Sequence, residues 1–205
     1  MRIGLGFDSH AFHPGVPLVI GGLRIEHPEG LAGHSDGDLL LHAVTDALLG
    51  AVCAGDIGTF FPPTDERWKG ADSSVFLKTA LEEVALAGYK IVNIDCVLVM
   101  HRPKIVPIAG DMRERLAGLM GLDMNCVSIK GKTPEGLGQD GTAVAHVVAL
   151  LESIKLPKEH KQLSAEEDVP AEDEIETVVS TLIADVHDTR ALGRKVTPFD
   201  PDDLT

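Results

Sequence analysis

Between residues 36 and 53 the chain is apolar almost all the way round a helix, apart from one polar stripe. Leu39, Leu40, Leu41, Val44, Leu48, Leu49 and Val52 leave no solvent face, while Asp38, His42, Thr45 and Asp46 recur on one side. A helix that is hydrophobic all round belongs in a core. Polar groups buried with it are tolerated only when they are paired or bind something. Such a helix therefore needs a sheet or other helices around most of its circumference, and a polar site against the rest. Ser35 followed by Asp38 resembles a capping box, which predicts a helix start at Asp36 and an end near Cys53.

Upstream, residues 2–12 alternate with strand period. Ile3, Leu5 and Phe7 fall on one face and Asp8, His10 and Phe12 on the other. Asp8 and His10 thus project together, and with His42 they offer three ligands for a zinc-like ion. Three protein ligands leave one position open, the layout of a catalytic rather than a structural site. Three unrelated hydrogen-bonded residues would show the same spacing. Asp46, one turn beyond His42, is either a partner that orients the imidazole or part of the helix's own polar stripe. His34 and Ser35 read either as a plain cap or as phosphate donors, with free N–H groups and the helix dipole holding the anion.

Residues 16–25, around Gly21-Gly22, read as a hairpin. A helix is expected over 73–87, ending at Gly88. A central strand follows over 90–100, with Val92, Ile94, Cys96, Leu98 and Met100 on one face. A helix over 106–120 should end at Gly121, and 127–132 should be a strand with Val127 and Ile129 inward. The apolar residues Val144, Val147, Val148, Leu150 and Leu151 predict a buried helix over 142–153. Lys132-Thr133-Pro134-Glu135 leaves the 127–132 strand into a loop. Lys132 and Thr133 suit a diphosphate and Glu135 suits a hard cation such as Mg²⁺, although a solvated turn has the same composition. Arg102-Pro103-Lys104 is a nucleotide-binding turn or a charged loop.

Composition closes off other classes. At 205 residues and 44 % hydrophobic the chain can bury one core. A formal charge of −14 argues against a nucleic-acid footprint. Residues 157–205 carry 5 basic and 13 acidic groups, against 13 and 19 in residues 1–156. More than half of the excess negative charge therefore sits in a tail that reads as an acidic linker, a short amphipathic helix (Ile175, Val178, Val179, Leu182, Ile183, Val186) and a disordered end. Cys53, Cys96 and Cys126 show no CxxC spacing, which favours reduced thiols in a cytosol-like compartment. No apolar stretch is long enough to span a membrane. The expectation is a cytoplasmic protein, or a plastid one if a transit peptide has been removed.

Taken together, RIGLGFDSHAF (2–12), LAGHSDGDLLLH through AVTDALLGA (31–51), GDIGTFFPPTD (55–65), KGADS (69–73), RPK (102–104) and KTPEGLG (132–138) keep the order and spacing of a known enzyme family. Over residues 1–155 the chain is similar to the 2-C-methyl-D-erythritol 2,4-cyclodiphosphate synthases of non-mevalonate isoprenoid biosynthesis, which are phosphorus-oxygen lyases. The resemblance implies an α+β two-layer sandwich, a mixed β-sheet with helices packed on one face, forming a homotrimer with active sites between subunits. It implies Zn²⁺ on Asp8, His10 and His42, and a Mg²⁺ or Mn²⁺ held by Glu135 and the diphosphate. His34 and Thr133 match the catalytic, phosphate-contacting positions, with Ser35, Lys132 and Pro134 close by. Asp56, Ile57, Gly58, Phe61, Pro62, Pro63, Thr64 and Asp65 match the segment that holds the methylerythritol part. Met100, His101, Arg102, Pro103, Lys104, Ile105 and Val106 match the cytidine pocket.

The chain departs from the family twice. Gln139-Asp140-Gly141-Thr142-Ala143-Val144 stands where relatives have an aromatic residue and then Gly-Arg-x-Glu, so the arginine that helps hold an anion on the trimer axis is missing. Residues 157–205 extend beyond the family's usual end, and their helix is expected to pack on the trimer surface or on a partner. Two other classes share the metal and phosphate residues. A metal-dependent phosphohydrolase would release inorganic phosphate, and a non-catalytic trimeric scaffold would tolerate loss of the triad.

Overall fold

The computed structural model describes residues 1–136 and 141–154. The N-terminal alternation becomes a 13-residue strand, β1 (Arg2–Pro14). The glycine pair turns a two-stranded hairpin, β2 (Leu18–Ile20) and β3 (Leu23–Ile25), with Gly21 and Gly22 both at positive φ. A short strand β4 (Glu29–Leu31) then precedes the buried helix α1 (Leu39–Ala51). The remaining elements are α2 (Ile57–Phe60), α3 (Ser74–Leu86), β5 (Tyr89–Val99), α4 (Ala109–Met120), β6 (Val127–Lys132) and β7 (Thr142–Ser153). The main sheet has the order β4-β1-β7-β5-β6, antiparallel except for the parallel β5–β6 pair.

Thr142–Ser153 is a strand rather than a helix, and it occupies the middle of the sheet between β1 and β5. Apolar Val148 and Leu150 stand on the open face beside the buried row, so the run looks continuous. Its alternation shows in burial instead: Ala143, Ala145, Val147, Ala149 and Leu151 are buried, while His146 and Val148 point outward. β5 is accordingly an interior strand without being the middle one. Helix α1 starts at Leu39, because Gly37 turns the chain at φ +76° just before it. Its cap is Asp38 rather than Ser35. The buried Asp38 carboxylate accepts from the N–H groups of Leu40 and Leu41, and also from Gly21 and Gly22. One side chain thus ties the hairpin turn to the helix start. Burial pushes that carboxyl's pKa up, against the pull of these N–H groups.

All the long helices lie on one face. Ile94, Cys96 and Leu98 of β5 and Val127 and Ile129 of β6 join the alanine row of β7 beneath them. Gly4 and Gly6 of β1 come close enough to touch the backbone of α1. The opposite face is uncovered and apolar: Ile3, Leu5 and Phe7 are 71, 69 and 55 % exposed. Helix α4 follows a short 3₁₀ turn (Val106–Ile108) and ends, as the sequence indicates, at Gly121 in the left-handed region. No helix among the described residues is long and apolar enough to cross a membrane. The expected acidic linker and amphipathic helix, and Gln139 and Asp140, fall outside the described residues.

Candidate metal centre

The close approach of β1 and α1 brings Asp8, His10 and His42 together. Asp8 and His10 follow Gly6 along the buried face of β1, and His42 precedes Ala43, the residue Gly6 touches. Asp8 Oδ2 lies 2.8 Å from His10 Nε2 and 3.0 Å from His42 Nδ1, and the two nitrogens are 3.3 Å apart. A tetrahedral zinc ion with bonds of about 2.0–2.2 Å sets its ligand atoms roughly 3.3–3.5 Å apart. The three atoms form such a triangle, slightly contracted, so the donor set fits the ion that the sequence suggests.

The tautomer of His10 supports that fit. Its Nδ1 is hydrogen-bonded to the carbonyl oxygen of Ala32, which can only accept, so Nδ1 carries the proton. In the neutral ring Nε2 then presents a lone pair to a carboxylate oxygen. Two acceptors facing each other need a proton or a cation between them. In the metal-free protein the proton serves: burial would lower the His10 pKa, but Asp8 outweighs it and raises the value. Burial works upward on Asp8, yet the two imidazoles hold its carboxyl well below the usual range.

The surroundings divide the other candidates. His42 Nε2 meets Ser35 Oγ and Ser73 Oγ, each at 2.9 Å, and its ring packs against Phe76 at 6.0 Å between centroids. Asp46 instead accepts from the backbone N–H of Ile57, so its hydrogen bond holds the following loop rather than the imidazole. The N–H groups of Leu40 and Leu41 are taken by Asp38, which removes them as phosphate donors. His34 remains at the rim, with Nε2 3.4 Å from the carbonyl oxygen of Asp65.

Residues 56–65 fold over the centre's flank. Asp56 caps α2 by accepting from Thr59 N–H, and Phe61 packs tilted against Phe76 at 4.5 Å and edge-to-face with Trp68 at 5.0 Å. The Asp65 N–H bonds the Pro62 carbonyl and its carboxylate grips Arg67, while Gly58, Pro63 and Thr64 are exposed.

The two remaining groups lie at the other edge of the sheet. Met100 N–H bonds the Lys132 carbonyl, and Ile105 is buried against Gly131, so the 100–106 turn sits on the end of β6. Within it His101, Arg102, Lys104 and Val106 are exposed and Pro103 is half-buried. Thr133 Oγ1 donates to Glu135 Oε1, with Pro134 buried between them and Lys132 exposed. Paired registers place Lys132, Val99, Val144 and Ser9 in one row across four strands. The triad and the Thr133–Glu135 loop therefore share one end of the sheet. They stand three strand spacings apart, about 14 Å. Ser73, read from sequence only as a helix start, and Asp36 are the participants that spacing did not point out. Their contact spans 37 positions and has no local signal.

A mixed sheet with helices on one face and a carboxylate and two imidazoles converging beneath the first helix defines an α+β domain built on a candidate three-ligand metal centre. The chain belongs to the YgbB family, whose model matches residues 1–152. It is 60 % identical over 152 residues to a 2-C-methyl-D-erythritol 2,4-cyclodiphosphate synthase of Koribacter versatilis, covering 74 % of this chain and 98 % of that one. The chloroplastic synthase of Oryza sativa is 48 % identical over 153 residues, covering 73 % of this chain and 69 % of the rice protein. A solved 2C-methyl-D-erythritol-2,4-cyclodiphosphate synthase with CDP bound superposes with a TM-score of 0.70 at 44 % identity, covering 74 % of this chain and all of that one.

Proposed function

We propose that this chain converts 4-diphosphocytidyl-2-C-methyl-D-erythritol 2-phosphate to 2-C-methyl-D-erythritol 2,4-cyclodiphosphate and CMP. The observation that carries the reading is the convergence of Asp8 Oδ2, His10 Nε2 and His42 Nδ1 in a chain so similar to synthases of that name. The 2-phosphate oxygen attacks the β-phosphorus, the bond to the CMP oxygen breaks, and an eight-membered ring closes. Among the described residues nothing has to act as a covalent nucleophile. A Zn²⁺ on the triad, and a Mg²⁺ or Mn²⁺ at Glu135, would supply Lewis-acid charge to the phosphate oxygens.

This chain's side chains bind and position. Asp8, His10 and His42 hold the zinc, and His34 and Ser35 face the phosphate beside it. Lys132 and Thr133 hold the diphosphate where charge shifts to the leaving oxygen. Asp56, Ile57, Gly58 and Phe61–Asp65 enclose the methylerythritol part, and Met100–Val106 the cytidine. Fixing two anionic groups in line replaces the encounter of two repelling phosphates.

The working unit in this reading is a homotrimer. Its support is physical: a row of exposed Ile3, Leu5 and Phe7 on the open sheet face suits burial by other copies. The 14 Å between triad and Thr133–Glu135 loop is bridged when a neighbour supplies one of the two. In this reading residues 1–156 are the catalytic domain and 157–205 an acidic extension. The compartment is the cytoplasm, or the plastid for a processed chain. The test is CMP release from the substrate with Mg²⁺ present, which should vanish on zinc chelation and return with added zinc.

A further inference from the structure

We infer that Ser73 and Asp36 are positioning residues that set the tautomer of His42 and so aim its Nδ1 lone pair at the metal centre. The inference rests on the reading that Asp8, His10 and His42 hold a metal. It adds the device that prepares His42 for that role.

Asp36 Oδ1 lies 2.5 Å from Ser73 Oγ, and Asp36 Oδ2 accepts from Ser73 N–H at 3.1 Å. A carboxylate only accepts, so the single hydroxyl proton of Ser73 is committed to Asp36. The same Ser73 Oγ lies 2.9 Å from His42 Nε2. With its proton spent, Ser73 can only accept there, which requires His42 to carry its proton on Nε2. A neutral imidazole protonated on Nε2 has its lone pair on Nδ1, the atom that faces Asp8 Oδ2 and His10 Nε2.

Ser35 Oγ, also 2.9 Å from His42 Nε2, is compatible with either tautomer. It lies 3.3 Å from Ser73 Oγ, where it can donate to the serine that already accepts from His42. Asp8 Oδ2, 3.0 Å from Nδ1, is the competing acceptor, but it already has His10 Nε2 at 2.8 Å, so Ser73 decides which nitrogen of His42 carries the proton. The site is built for permanence, since Ser73 is fully buried and Asp36 also takes the Asp38 N–H at 3.2 Å. His10 is set by a carbonyl and His42 by a carboxylate acting through a hydroxyl. Both leave a lone pair at the centre. Partners of this kind fix ring orientation, and their loss costs about 10–100-fold in metal affinity.

The test begins on the unmodified, zinc-free chain at pH 8. Two-dimensional ¹H–¹⁵N spectra of the imidazoles should show His42 protonated on Nε2 and unprotonated on Nδ1. Chelator competition should then give a zinc affinity at least about tenfold weaker for Ser73→Ala and Asp36→Asn, with Ser73→Thr close to wild type. The cobalt-substituted visible spectrum should change in the first two variants and not in the third. In Asp36→Asn the amide can donate to Ser73 and release its proton toward His42, so the Nδ1–H form should grow. Nδ1 protonation in the wild type would overturn the inference even if no variant folds. So would folded Ser73→Ala and Asp36→Asn proteins that bind zinc as tightly as wild type. A wild type that binds no zinc would overturn the metal reading separately, with the tautomer still deciding the relay.

Discussion

A Cβ added to Gly6 would sit 1.8 Å from the carbonyl oxygen of Ala43. No side chain fits in that space, so strand β1 and helix α1 run in backbone contact. Asp8 and His42 each lie within two residues of this contact, and the metal centre inherits its dimensions from it. Gly6→Ala should therefore both destabilise and disarm the protein. Forcing the elements apart costs about 1–3 kcal/mol or more, measured by urea unfolding of the zinc-free chain. Zinc affinity should fall as well, while an unchanged affinity would detach the centre from this packing.

His42→Ala should abolish zinc binding and turnover while leaving the fold intact. The imidazole is partly exposed at the edge of the core, and its loss leaves Asp8 and His10 still paired at 2.8 Å. Metal analysis and circular dichroism on the same sample check this. Stoichiometric zinc in a folded His42→Ala protein would contradict the assignment.

The zinc-free protein should show a pH window of stability from the Asp8–His10 pair. Asp8 titrates below its ordinary value of 3.8 in the folded chain, so its contribution is present above 3.8 and lost as pH falls through the depressed value. His10 titrates above its ordinary 6.5, so its contribution is complete below 6.5 and lost as pH rises through the raised value. The pair thus stabilises most between these two ordinary values, and Asp8→Asn should flatten that window in Tm-against-pH scans. Zinc takes the place of the shared proton, so the Tm gain on adding zinc should grow as pH rises through the His10 value. A gain independent of pH would rule this exchange out.

The separation of triad and Thr133–Glu135 loop predicts complementation between defective chains. Thr133→Ala should lower turnover by about 10²–10³ with zinc content unchanged. Dissociating it with His42→Ala and reassembling the mixture at equal amounts should restore activity, since some neighbouring pairs then have both halves intact. For a closed ring assembled at random this is about a quarter of the sites. A mixture as inactive as its parts would place both groups' work within one subunit.

Much of this was legible in the residues. The alternation of β1 placed Asp8 and His10 on one face, and the polar stripe of α1 placed His42 opposite them. The glycine hairpin and the 127–132 strand were equally plain. Where the structure departs from expectation, the deciding contact is one that residue spacing does not show. Val144–Leu151 looks helical until β1 and β5 flank it, because Val148 and Leu150 put apolar side chains on the open face and mask the strand period. Ser35 looks like a cap until Gly37 bends the chain and hands that role to Asp38. Asp46, read from spacing as a partner of His42 or as part of the polar stripe, accepts from the Ile57 N–H. Ser73 and Asp36 could not be joined by spacing at all.

The most direct test of the central claim is phosphorus NMR of 4-diphosphocytidyl-2-C-methyl-D-erythritol 2-phosphate incubated with the zinc-loaded chain and Mg²⁺. Two mutually coupled signals of a cyclic diphosphate, growing one for one with CMP, are the predicted result. Inorganic phosphate in their place would make the chain a hydrolase. No turnover by a folded, zinc-loaded assembly would contradict the enzyme reading altogether.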